Sequence, residues 1–215
     1  MFRASMLLVP VLIAGCTGEV EYTGLTMNGF FPFDGSERSW DFVNTDETIP
    51  HTQVSTMNPD YATHSDGTTK IYDISTAQEC PSSDETCEEK WVWTLRLSSN
   101  GSQGAKIHGY DRPDSGPVDF ENAVGLTKGR MEIGETVVTE SVDGHDWVAI
   151  FEAIEPCEIR WTDQWDSCAR IKLESTPAGH WMAGQYWAIT SYNIVARQMT
   201  EDTGRWELVY ADWVP

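Results

Sequence analysis

The chain has 215 residues, with 14 Lys and Arg against 34 Asp and Glu, for a formal net charge of −20. So acidic a protein repels nucleic acid and anionic lipid surfaces, which excludes phosphate-reading functions and leaves no nucleic-acid partner. Its 40% hydrophobic content and ten tryptophans exclude a disordered chain, and the length suits one domain with a substantial core.

In chain order the first element is a leader. Arg3 precedes an apolar run from Met6 to Ala14 that Gly15 closes, the three-part pattern of a secretory signal. The run is far shorter than the roughly 20 residues of a membrane-spanning helix. It also contains Pro10. The segment Ile13-Ala14-Gly15-Cys16 resembles the lipobox of bacterial lipoproteins: aliphatic, small, small, cysteine. That resemblance implies removal of residues 1–15, diacylglyceryl modification of the Cys16 thiol, and usually a further acyl chain on the new amino group. The partner implied is a membrane reached through this anchor, at the cell envelope. Thr17 stands where some bacteria read an aspartate as an inner-membrane retention mark, which favours the outer membrane. Each buried methylene contributes about 0.8 kcal/mol and a single chain binds only marginally, so it takes two or three acyl chains to hold a protein firmly. Residues 16–24 are expected to form a lipidated tether and residues 25–215 an antiparallel β domain.

The domain opens with Phe30-Phe31-Pro32, Gly35 and Trp40-Asp41-Phe42. This looks like the opening of many uncharacterised bacterial lipoproteins with an antiparallel β domain, in which the tryptophan begins the first strand. Ala178-Gly179-His180-Trp181, Gly184, Tyr186-Trp187 and Asn193-Ile194-Val195 suit the late turn and final strands of that group. The resemblance implies a fold and brings no catalytic residue with it.

Residues Thr45 to Thr68, rich in Thr, Asp, Pro and Asn, and Ser75 to Glu89, around Cys80 and Cys87, read as long surface loops. Between residues 88 and 98, Trp91, Trp93, Leu95 and Leu97 alternate with Lys90, Thr94 and Arg96, the period of a half-buried strand. Ser99-Asn100-Gly101-Ser102 is a hairpin signal leading into a second strand, Ala105 to Tyr110. Val137 and Val138 lead to Asp143-Gly144 and then to the apolar stretch His145 to Ile154, the clearest hairpin in the chain. Ala169, Ile171 and Leu173 share one face of a later strand, and Trp206, Leu208 and Tyr210 one face of the last. With no sustained helical spacing, the chain reads as all-β: a single antiparallel domain, either sandwich, barrel or strongly curved sheet.

Apart from Cys16, the cysteines form two couples close in sequence, Cys80 with Cys87 and Cys157 with Cys168. An even number in an exported chain reads as disulfides, and pairing within each couple is the simplest of the three connectivities. The rival is a metal site, but the gaps of six and ten residues are not metal-ligand spacing and no histidine adjoins either couple. No metal or cofactor is implied.

Catalytic motifs are absent. His51, His64, His108, His145 and His180 are scattered with no H-E-x-x-H pair, there is no G-x-S-x-G elbow, and the glycines sit at turns rather than in phosphate-cradling loops. Carboxylate pairs for glycoside hydrolysis depend on the fold, and Glu152, inside an apolar strand, is the carboxyl to examine. Trp161 and Trp165, beside Asp163, Gln164 and Asp166 in the loop closed by Cys157 and Cys168, combine flat faces with hydrogen-bonding groups as a glycan site does. The plainer reading is that both indoles cap the core. The expectation is therefore a lipid-anchored envelope protein whose β domain binds or displays without catalysis. The alternatives are a glycan-binding module or envelope glycoside hydrolase, or a carrier of hydrophobic cargo with an apolar cavity of several hundred cubic ångströms.

Overall fold

The structure is a computed structural model that describes residues 24–26, 37–46, 51–63, 67–80, 82, 85, 87–100, 103–157, 167–189, 193–202 and 204–211. Its strands are β1 (Gly24–Thr26), β2 (Arg38–Asn44), β3 (Thr52–Thr63), β4 (Lys70–Glu79), β5 (Lys90–Asn100), β6 (Gly104–Arg112) and β7 (Gly116–Gly125). They continue as β8 (Arg130–Glu132), β9 (Thr136–Val142), β10 (His145–Glu155), β11 (Cys168–Thr176), β12 (Gly184–Ile189), β13 (Asn193–Met199) and β14 (Trp206–Ala211). No helix occurs among the described residues.

β1 and β8 pair with each other, and the other twelve strands form one antiparallel sheet in which β2 to β7 and β9 to β14 each pair with their chain neighbours. β14 then pairs with β2, Trp206 opposite Asn44. The two edges, β7 and β9, lie side by side without a hydrogen-bonded ladder. The Gly125 amide of β7 donates to Thr139 Oγ1 of β9 at 3.1 Å, and Gly125 lies against Val137. Among the three shapes compatible with the sequence, the chain adopts a nearly closed barrel, whose closure leaves little open edge for pairing with other chains.

One face of the twelve-stranded sheet fills the interior. Trp40 and Phe42 of β2, Tyr72 and Ile74 of β4, Trp147, Ala149 and Phe151 of β10, and Ile171 and Leu173 of β11 all belong to one buried cluster. The β9–β10 hairpin forms as its sequence indicates: Val142 faces His145, and Asp143 (φ 54°) and Gly144 (φ 71°) both take the left-handed conformation of a tight two-residue turn. Both cysteine couples are bonded within themselves, with Cα–Cα distances of 5.6 Å for Cys80–Cys87 and 4.9 Å for Cys157–Cys168.

Three sequence expectations need correction. The two stretches assigned to long loops contain sheet: β3 takes up residues 52–63 of the first, and the end of β4, residues 75–79, opens the second. β3 turns Gln53, Ser55 and Met57 inward, and Ser55 Oγ hydrogen-bonds Thr76 Oγ1 of β4 at 2.7 Å inside the barrel. A strand whose buried face is largely polar has no apolar alternation to read. Trp91 does not share the inward face of Trp93, Leu95 and Leu97 but is 38% exposed. The β4–β5 ladder runs from Thr76 opposite Trp93 to Ala77 opposite Trp91, so Val92 is an extra residue that turns Trp91 outward, where its Nε1 donates to Thr94 Oγ1 at 3.2 Å. The same device at Val209 separates Tyr210, 50% exposed, from the buried Trp206 and Leu208.

Candidate functional site

The residues singled out by sequence fall into two groups. Cys16, Trp161, Asp163, Gln164, Trp165 and His64 lie outside the described residues. The disulfide Cys157–Cys168, which closes the loop holding both tryptophans, anchors that loop between the ends of β10 and β11.

Glu152 is the extra residue of a bulge in β10, between Phe151 opposite Ile171 and Ala153 opposite Arg170. Its carboxylate accepts from Arg170 Nε at 3.0 Å and Gln185 Nε2 at 3.5 Å. Glu155 accepts from Arg170 Nη1 at 2.6 Å and from Trp187 Nε1 at 2.5 Å, and the Arg205 guanidinium lies 4.4 Å over the Trp187 ring. Arg170 thus spans two acids while Arg205 covers the indole. Trp187, though near this charged shell, is only 5% exposed and offers no platform for a sugar. Both carboxylates are engaged by fixed donors, an arrangement that braces the ends of β10, β11 and β12 and suits glycoside hydrolysis poorly.

Histidines scattered in sequence do meet in space, which spacing alone could not show. His145 and His180 have ring centroids 5.0 Å apart, and His180 packs edge-on against Trp147 at 4.6 Å. The Asp143 carboxylate accepts from Tyr110 Oη at 2.8 Å and lies 3.2 Å from His180 Nε2 through the same oxygen, Oδ2. The Met182 amide donates to His180 Nδ1 at 3.2 Å, so the ring is the neutral tautomer with its proton on Nε2, directed at Asp143. His145 Nδ1 donates to the Asp143 carbonyl at 2.7 Å. Burial pushes the His180 pKa down, with the Asp143 bond opposing it, and burial followed by that carboxylate raises Tyr110 to about 12. Both nitrogens of His180 are committed, so the cluster joins the β6, β9–β10 and β11–β12 segments rather than presenting a free base. Among the described residues no group of three His, Cys, Asp or Glu side chains is placed to hold a metal ion.

Among the described residues Arg197 is a cation buried in the interior. The Arg197 guanidinium donates from Nη2 to Gln53 Oε1 and stacks over Phe42 (4.6 Å), Trp93 (5.2 Å) and Trp206 (5.8 Å). Asp202, whose pKa burial raises against the pull of Arg197, accepts from the Met199 amide at 2.7 Å and Trp206 Nε1 at 3.1 Å. The cavity beside this network, lined by Trp40, Phe42, Trp93, Tyr186 and Arg197 among others, measures about 40 Å³. That is room for a few waters at most. The several hundred cubic ångströms that a hydrophobic cargo requires are not found in this cavity.

On the outside two concavities stand out. One, about 520 Å³, lies over β11 to β13 beside Lys172, Glu174, Gln185, Gln198 and Thr200, and its charges are already joined by an ion pair of 2.6 Å between Lys172 and Glu174. The other, about 300 Å³, is centred on His108 between β6 and β7. Comparison with protein-family models, with curated proteins and with solved structures finds no match.

Proposed function

We propose that the chain is a lipid-anchored protein of the bacterial cell envelope, held at the outer membrane by acyl chains on Cys16, whose barrel acts by binding or structural display rather than by catalysis. The observation that carries this reading is the use of the cysteines. Of the five in the sequence, four are bonded in two local pairs, which suits an oxidising compartment outside the cytoplasm and leaves Cys16, in its lipobox setting, as the thiol to be acylated. A non-catalytic role is supported by the commitment of the His180, Glu152 and Glu155 side chains to fixed bonds, and by a core filled with the barrel's own aromatic rings.

Metabolic labelling with a fatty-acid probe tests it. The wild type should carry the label and the Cys16→Ala variant should not. Equal labelling of the two, or none of either in a host that processes lipoproteins, overturns the reading.

A further inference from the structure

Both ladders of β6 break at the same residue. Toward β5, Ile107 faces Leu97 and Gly109 faces Arg96, so His108 is an extra residue on that side. Toward β7, Ile107 faces Val124 and Gly109 faces Asp119, so the stretch from Phe120 to Ala123 arches over the single residue His108. Bulges re-aim side chains and are over-represented beside functional sites. Here the double break turns His108 onto the outer face of the barrel, where Ser98 Oγ hydrogen-bonds its Nε2 at 2.7 Å and fixes the ring, which stays 8% exposed. The arch lifts Glu121 and Asn122 above it. The result is a polar pocket of about 300 Å³ with His108 and Thr69, Lys106 and Gln103, and Glu121, Asn122 and Ala123 around it.

The chemistry of the lining selects a ligand class. Lys106 and Glu121 present opposite charges on adjacent strands, and no ion pair joins them. Among the described residues Lys106 Nζ meets the neutral Gln103 Oε1, at 3.3 Å. In the larger concavity over β11 to β13 the cation and the acid already neutralise each other, whereas here both remain available. Two charges of opposite sign lining one pocket, with no ion pair between them, match a molecule that carries one of each. The amides of Gln103 and Asn122 provide donors and acceptors for a polar remainder. Among the described residues no Trp, Tyr or Phe lines the pocket to give the flat apolar platform on which sugar rings stack.

We propose that the His108 pocket binds a small zwitterion, a free polar amino acid, with its carboxylate at Lys106 and its ammonium at Glu121. This supplies the ligand for the binding role proposed above and does not depend on the lipid anchor, whose own test is labelling rather than binding.

The experiment uses the processed protein purified in detergent. Thermal-shift screening against each standard amino acid and D-glucose is followed by calorimetric titration of the best binder. Its amide, which lacks the carboxylate, and its deamino analogue, which lacks the ammonium, are titrated in parallel. A polar amino acid should bind, with each analogue weaker by about tenfold or more, the loss of one charge-assisted bond. Lys106→Met should weaken the amino acid to the level of its amide, and Glu121→Gln to the level of the deamino analogue. Both positions lie on the outer surface, so the variants should keep the wild-type melting temperature. Three results would overturn the assignment: no amino acid binding at up to about 10 mM, binding that neither variant changes, or D-glucose bound through the same residues.

Discussion

The Arg197 guanidinium lies 4.6 Å over the Phe42 ring in the middle of the barrel, with Gln53 Oε1 as a hydrogen-bond acceptor. Arg197 is 4% exposed and Gln53 is 7% exposed. Removing one member of such a buried pair costs more than removing the charge itself. Gln53→Leu should destabilise the fold by about 1 to 3 kcal/mol, because the guanidinium loses its acceptor. Arg197→Met should also destabilise, by about 1 to 3 kcal/mol, because it leaves the buried Gln53 acceptor without its donor, and the double variant should lose less than the sum of the two. Urea unfolding of the two single variants and the double variant measures the coupling. A Gln53→Leu variant as stable as wild type would show that Asp202 and the aromatic rings satisfy the cation by themselves.

The Asp143–His180 contact gives a pH dependence whose sign is fixed by burial. The folded-state pKa of His180 is depressed, so the unfolded chain takes up the proton first as pH falls. The stabilisation is therefore complete above the unfolded value, about 6.5, and is lost progressively below it until the folded value is passed. His145, Asp143 and Arg112 face the ring and are held constant by changing His180 alone. Melting temperature recorded from about pH 7.5 down to pH 5 should fall for the wild type and fall less steeply for His180→Gln. Parallel curves would assign the dependence to other groups. In the same cluster Tyr110→Phe should cost about 0.5 to 1.5 kcal/mol near neutral pH by deleting the 2.8 Å bond to Asp143.

The seam between β7 and β9 rests on close approach at one glycine. A Cβ added to Gly125 would stand 2.5 Å from Val137 Cγ1. Gly125→Ala should destabilise by about 1 to 3 kcal/mol and speed amide hydrogen exchange in β9 above that in β10. Adding Val137→Ala should restore part of the stability. If the second substitution only deepens the loss, the two strands do not meet through this contact.

Each disulfide closes a short loop, with sequence separations of 7 and 11 residues. Chain-entropy arguments give roughly 2 to 3 kcal/mol for loops of this length. Denaturant unfolding of a Cys80→Ser/Cys87→Ser variant and a Cys157→Ser/Cys168→Ser variant should each show a loss of that order. Non-reducing peptide mapping should join Cys80 to Cys87 and Cys157 to Cys168. A peptide linking one couple to the other would contradict the fold.

What the sequence made legible was decided by which side chains turn inward. Where the inward face is apolar, as in Trp93, Leu95 and Leu97 or in Ile171 and Leu173, period-two alternation marked the strand directly. Where it is Gln53, Ser55 and Thr76, the strand was hidden, because polar residues inside a barrel are satisfied only by partners that the fold itself supplies. Trp91 and Tyr210 were assigned to the wrong face for a different reason. A single bulged residue reverses every side chain beyond it, and Val92 and Val209 look like ordinary strand residues. The Asp143-Gly144 turn was legible because both positions need positive φ. The His108 pocket was not legible. It depends on a four-residue arch opposite one histidine, a relation between two registers that no linear spacing records.

The order of the strands has a kinetic consequence. Every ladder of the large sheet joins strands consecutive in their half of the chain, save the one in which β14 returns to β2. Hairpins can zip locally as the polypeptide emerges, whereas that last pairing spans nearly the whole domain and is the slow, entropically expensive step. The growing chain therefore stays an unclosed ribbon, its β2 flank exposed, until the final strand has been made and shuts the ring.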